Sequence, residues 1–111
     1  MIAHSLPDQF FGPAQRLHGA TYIVEASFCQ KQLTEKNVVI DIGEATNKLK
    51  KVIQELNYQN LDDLPQFQNI FTTTEYLAKY IHNEIKKDLS ADLTLKIILH
   101  ESNVASASYE D

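Results

Sequence analysis

Four histidines, one cysteine and a glutamate that ends an apolar run stand out as the chemistry-bearing residues of this 111-residue chain. Imidazole nitrogens bind metals and move protons near neutral pH, which makes His4, His18, His82 and His100 the first candidates. His18 and Ala20 are two apart, so on a strand they share a face. A histidine at position 20 would place a second nitrogen beside His18; an alanine offers no donor. His100 and Glu101 are neighbours on a strand and point to opposite faces unless a bulge intervenes. His82 lies mid-helix among polar residues and is expected to be solvated. Cys29 ends a strand and is expected to be a small buried hydrophobe. Glu101 follows Leu93, Leu95, Ile97 and Leu99. A carboxylate there either stands in water or has a partner, because an unpaired buried charge is expensive. Arg16 is either a surface arginine or faces an anionic tail on a ligand.

The elements that must position these residues follow from periodicity. Thr21 to Cys29 alternates, with Tyr22, Val24, Ala26 and Phe28 on one face and Glu25 and Ser27 on the other, as a half-buried strand does. Asn37 to Asp41 reads as a short apolar strand end. Asp41 can cap a helix, with Glu44 completing an acidic capping box. Ile42, Ala45, Leu49, Val52, Ile53 and Leu56 form its apolar stripe. Asn57 to Asn69 is a loop marked by Asp62-Asp63 and Pro65. Thr72 with Glu75 reads as a second capping box, and Leu77, Ile81 and Ile85 as the stripe of the helix it starts. Lys86-Lys87 suits that helix's C-terminus. Leu93 to His100 and Val104 to Tyr109 read as strands joined by a turn near Ser102-Asn103. The order strand-strand-helix-helix-strand-strand argues for an α+β fold: a four-stranded antiparallel sheet with both helices on one face. Apolar residues on the other face suggest a partner subunit. Met1-Ile2-Ala3 runs straight into His4, so the first strand is very short or the start of the reading frame has been cut.

The length suits one domain, residues 1–111. A formal charge of −5 argues against a nucleic-acid footprint, which needs a basic patch, but leaves room for a small anionic ligand at a local site. A single cysteine permits no intrachain disulfide and fits a reducing, cytoplasmic setting. No apolar run approaches a membrane span and there is no signal-peptide core.

Taken in order, the segments resemble the family of 6-pyruvoyltetrahydropterin and 6-carboxytetrahydropterin synthases. The resemblance is carried by Ile2-Ala3-His4-Ser5-Leu6-Pro7, Ala14-Gln15-Arg16-Leu17-His18-Gly19-Ala20 and Val39-Ile40-Asp41-Ile42. It continues through Leu56-Asn57-Tyr58-Gln59-Asn60-Leu61-Asp62, Thr72-Thr73-Thr74-Glu75-Tyr76-Leu77-Ala78, Glu101-Ser102 and Ala107-Ser108-Tyr109. Each piece is weak by itself; together they span nearly the whole chain.

The resemblance implies a barrel closed by three four-stranded sheets in a trimer, two trimers stacked into a hexamer, and ligand sites between subunits. It implies a three-histidine zinc site, of which His4 and His18 match two ligands while the third falls on Ala20. Zinc is therefore possible, but with an incomplete set, and the plainer expectation is that His4 and His18 hydrogen-bond a ligand, water or each other. The family's catalytic cysteine falls on Ala14, and its aspartate and histidine fall on Asn57 and Tyr58. Tyrosine, with a pKa near 10, is a poor base at neutral pH, and asparagine does not titrate. Glu101 matches the pterin-anchoring glutamate, with Thr72 and Thr73 beside it at the helix start. A carboxylate can accept both the ring N–H and the amino group of a pterin. Three functions compete: a pterin-binding homologue without the family's catalytic residues, an active lyase on 7,8-dihydroneopterin triphosphate, and a structural oligomer without ligand.

Overall fold

Alternating and helical patterns become elements where tertiary packing supports them. A computed structural model describing residues 1–111 contains, in chain order, β1 (Ile2–His4), β2 (His18–Ala20), β3 (Ile23–Cys29), α1 (Ile42–Leu56), α2 (Thr74–Lys86), β4 (Thr94–Ser102) and β5 (Ala105–Glu110). The α+β class is as expected, but the sheet is not four-stranded. β3, β4 and β5 form a three-stranded antiparallel sheet in that order, and β1 pairs with β2 in a separate two-stranded one. Asn37 to Asp41 forms no strand. Thr34 N–H donates to the Val38 carbonyl at 2.9 Å and Asn37 adopts φ 61°, so the segment is spent on a turn. Asparagine tolerates that left-handed conformation.

Register decides which side chains meet. Val24 lies opposite Leu99, Ala26 opposite Ile97 and Phe28 opposite Leu95; across β4, Tyr109 lies opposite Ile97 and Ala107 opposite Leu99. This face meets the helices. Leu95, Ile97 and Leu99 belong to one core with Val52 and Leu56 of α1 and Leu77, Ala78, Ile81 and Ile85 of α2, so both helices cover the same side. The opposite face is mainly polar: Glu25, Ser27, Lys96, His100 and Glu110 surround Ile23 and Ile98. Cys29 is on this outer face and exposed, not buried as expected, because alternation from Phe28 turns it away from the helices.

The helix starts are set by side-chain caps. Asp41 accepts from Glu44 N–H at 2.9 Å, as the capping pattern predicts. Ile42, first on the expected stripe, is nevertheless exposed, since the first turn of α1 overhangs the core. The cap of α2 is Thr73, one residue later than expected: its hydroxyl accepts from Tyr76 N–H at 3.1 Å. This leaves Thr72 outside the helix and fully buried. His82, expected in water, is also buried. Its ring lies between Asn83 Oδ1 and Asp111 Oδ1, each at 3.1 Å, and stacks edge-on against Tyr109. The polar sequence neighbours of His82 misled because Asp111, 29 residues on, supplies the partner.

Candidate functional site

The short strand β1 is held from two sides. Its register with β2 sets His4 opposite His18 and Ile2 opposite Ala20. On the other side, Ala3 N–H donates to the Gln59 carbonyl at 3.0 Å and Ala3 bridges Asn60. The imidazoles of His4 and His18 pack edge to face, centroids 4.6 Å apart. His4 is buried, with Nδ1 2.9 Å from Thr72 Oγ1; His18 Nδ1 is 2.8 Å from the Arg16 carbonyl and must donate to it. Burial lowers the pKa of His4, helped by His18; the charges of Asp62 and Glu101 and the Thr72 bond oppose this.

Two aligned imidazoles, each oriented through Nδ1, resemble part of a metal site. No cluster of three or more histidine, cysteine, aspartate or glutamate side chains completes it. Ala20 lies two residues beyond His18 on β2 without a donor atom, and His100 is turned to the outer face, where its Nε2 is 3.1 Å from Glu25 Oε1. Nor is Cys29 on the strand of Ala20, since strand pairing is interrupted at Thr21-Tyr22 between β2 and β3. The residues of one chain therefore supply two nitrogens where a catalytic zinc takes three protein ligands.

Glu101 reaches the same end of the molecule by a bulge. The register of β4 with β5 shifts between His100 and Ser102, where β4 meets the start of β5. A bulge re-aims the side chain it carries. Glu101 is exposed, and its Oε2 accepts from Thr74 Oγ1 at 3.4 Å, at the first residue of α2. Of the two threonines expected beside it, Thr73 is engaged as the helix cap and Thr72 with His4; the hydroxyl that reaches Glu101 is Thr74's. The sequence pattern does not single out Thr74, because the capping box reads one position early and the run Thr72-Thr73-Thr74 holds the signal only once the cap is fixed. Nor does it mark Tyr22 as a site residue. Burial raises its pKa, and Thr74, Glu101 and Glu75 lie close enough to affect it. Alternation showed its face but not what its hydroxyl would approach.

Other expected positions are elsewhere or inert. Ala14 sits in the turn Gln9–Gln15, its carbonyl accepting from Leu6 N–H at 3.0 Å. Asn57 Oδ1 accepts from the Met1 amino group at 3.0 Å, and Tyr58 N–H donates to the Met1 carbonyl at 2.7 Å. Tyr58 has φ 63° and a ring that is 79% exposed. Arg16 is exposed at the end of the turn before β2. Behind Tyr22, an apolar cavity of about 60 Å³ reaches Ile53, Leu77 and Leu99. Glu101 is not among its lining residues.

Comparison with known proteins identifies the family. The family model described as 6-pyruvoyl tetrahydropterin synthase matches residues 1–111. The chain belongs to the 6-pyruvoyl tetrahydropterin synthase family. A 6-pyruvoyl tetrahydrobiopterin synthase of Poecilia reticulata is 34% identical over 78% of this chain and 60% of its own length. This chain thus spans about three-fifths of that relative. A 6-carboxy-5,6,7,8-tetrahydropterin synthase of Aquifex aeolicus is 26% identical over 86% of this chain and 74% of its own. The solved structure of the Caenorhabditis elegans 6-pyruvoyl tetrahydropterin synthase superposes with a TM-score of 0.86 at 21% identity, covering 99% of this chain and 88% of that one. The likeness supports the shared fold. Within the family fold, the α2 start and the β4 bulge bring Glu101 and Thr74 together, and the β1–β2 pair brings His4 and His18 together.

Proposed function

We propose that this member of the family binds a pterin-like ring at Glu101 and lacks the family's lyase chemistry. The observation that carries the reading is the Glu101 carboxylate, set by a bulge beside the start of α2. Two adjacent donors on a flat ring suit a carboxylate that accepts both, and the first N–H groups of a helix have no partner within the helix. Thr74 lies beside this carboxylate, and His4 and His18 provide imidazole nitrogens for the ligand's substituents. At positions matching the family's proton-transfer groups stand Ala14, Asn57 and Tyr58. None supplies a base that works near neutral pH.

The active protein is a trimer or hexamer in a cytoplasmic setting. β3 and β5 are the edges of the three-stranded sheet, and edge-to-edge pairing of copies would close a barrel. Such closure also supports a covered site, because Glu101 and Tyr58 are exposed on a single chain.

The test is a calorimetric titration of the wild type and Glu101→Gln with 7,8-dihydroneopterin. The amide replaces one acceptor oxygen with a donor group, which opposes a ring donor. Loss of one charge-assisted hydrogen bond, about 1.5–3 kcal/mol, weakens binding roughly ten- to a hundredfold. A wild type without measurable pterin binding, or a variant that binds equally well, would remove the basis of this reading.

A further inference from the structure

Asp62 makes a pair of contacts that the proposed function does not use. It lies in the turn Leu61–Asp63, and its carboxylate takes both polar groups of the residue that follows His4: Ser5 N–H at 3.1 Å on Oδ1 and Ser5 Oγ at 2.5 Å on Oδ2. Its own backbone is fixed, since Asp62 N–H donates to Asn60 Oδ1 at 3.1 Å and Leu61 beside it is fully buried. The turn thus grips the end of β1 from a rigid base. Asn60, two residues earlier, bridges Ala3. β1 has only three residues and one neighbouring strand, so the contacts at its end weigh heavily in where His4 sits.

We propose that Asp62 is a positioning residue for the imidazole end of the site: by clamping Ser5 it sets His4 against Thr72 and His18. The proposal rests on the pterin-binding reading for its functional consequence, but not for its geometry. A bidentate grip on a backbone N–H and an adjacent hydroxyl fixes both the height and the rotation of the chain at Ser5. His4, one residue earlier, is thereby fixed too.

The chemistry distinguishes two substitutions. Asparagine at position 62 can reproduce the clamp, its oxygen accepting from Ser5 N–H and its amide donating to Ser5 Oγ. Alanine removes both contacts. The ligand-free protein, labelled with ¹⁵N, reports the His4 ring nitrogens and the His4–His18 proton contacts by NMR. At about pH 8, where His4 is neutral with or without the Asp62 charge, Asp62→Ala is expected to shift the His4 signals and weaken those contacts, and Asp62→Asn to keep both near wild type. Ser5→Ala removes only the hydroxyl contact and should shift His4 in the same direction by less; it decides the matter if Asp62→Ala does not fold. In pterin titrations Asp62→Ala should bind roughly tenfold more weakly, with Asp62→Asn within about threefold of wild type. Unchanged His4 signals in both Ser5→Ala and a folded Asp62→Ala overturn the proposal, as does an asparagine variant that behaves like the alanine one. A wild type that binds no pterin counts against the pterin reading alone, because the ring signals still decide whether Asp62 places His4.

Discussion

Glu101 and His18 illustrate how much one residue's neighbours determine at this site. A carboxylate on a strand end is unremarkable until the bulge turns it toward Thr74, and a histidine pair is a metal site only with a third donor. Ala20 lies on the strand of His18 and two residues beyond it. Ala20→His should therefore add a third nitrogen beside His4 and His18. Metal analysis after purification without chelators is expected to give about one zinc per chain for this variant and well below that for the wild type. Equal zinc in both would mean that another donor completes the wild-type set. The reaction itself is a second residue-scale test. On the proposed reading, in which Ala14, Asn57 and Tyr58 stand at the proton-transfer positions, turnover of 7,8-dihydroneopterin triphosphate should be absent or very slow. Each missing general acid–base contribution typically costs ~10²–10⁴-fold. Robust conversion by the purified protein, surviving a contamination control, would contradict this.

Among the elements, α2 connects the site to the rest of the fold. Its first turn carries Thr73 and Thr74, and its last turn is tied to Asp111. That carboxylate accepts from Leu95 N–H at 2.8 Å and from His82 Nε2 at 3.1 Å, and it pairs with Lys86 at 2.8 Å. These contacts, the Lys86 bond foremost, lower the Asp111 pKa well below the usual carboxylate range. A carboxylate whose pKa is depressed on folding binds protons more readily when unfolded, so its contribution is present above the unfolded value near 3.8 and lost as pH falls through the folded one. Asp111→Asn should lower the melting temperature at pH 7 and flatten its decline below pH ~4. Thermal unfolding followed by circular dichroism across pH 2–7 measures both. Identical pH profiles would show that the clasp contributes nothing.

At the scale of the whole molecule, a three-stranded sheet with two edges and an exposed candidate site is an incomplete arrangement by itself. Edge strands that are neither short nor covered invite pairing with another chain. The expected state in dilute solution is a trimer or a multiple of it. Sedimentation velocity at micromolar concentration checks this, and a stable monomer would contradict it. The polar outer face, with the Glu25–His100 pair, would then line the inside of the ring, where water and charge are tolerated.

The sequence by itself determined the α+β class, the two helices with their stripes, the Asp41 cap and the alternation of β3 and β4. These depend on short-range periodicity and local hydrogen bonding, which residue order expresses directly. It also showed the family, since the motifs that carry the resemblance are visible as letters. What required tertiary structure was every feature made by residues far apart. Asn37 to Asp41 looked like a strand until no neighbour paired with it, and His82 looked solvated until Asp111 folded over it. The same holds for the site. Thr72 lies against His4, 68 residues away, Thr74 against Glu101, 27 away, and Asp62 against Ser5, 57 away. A hydroxyl's partner is set by which strand and which helix turn arrive beside it, and that geometry follows from burial of the common core rather than from the local residues.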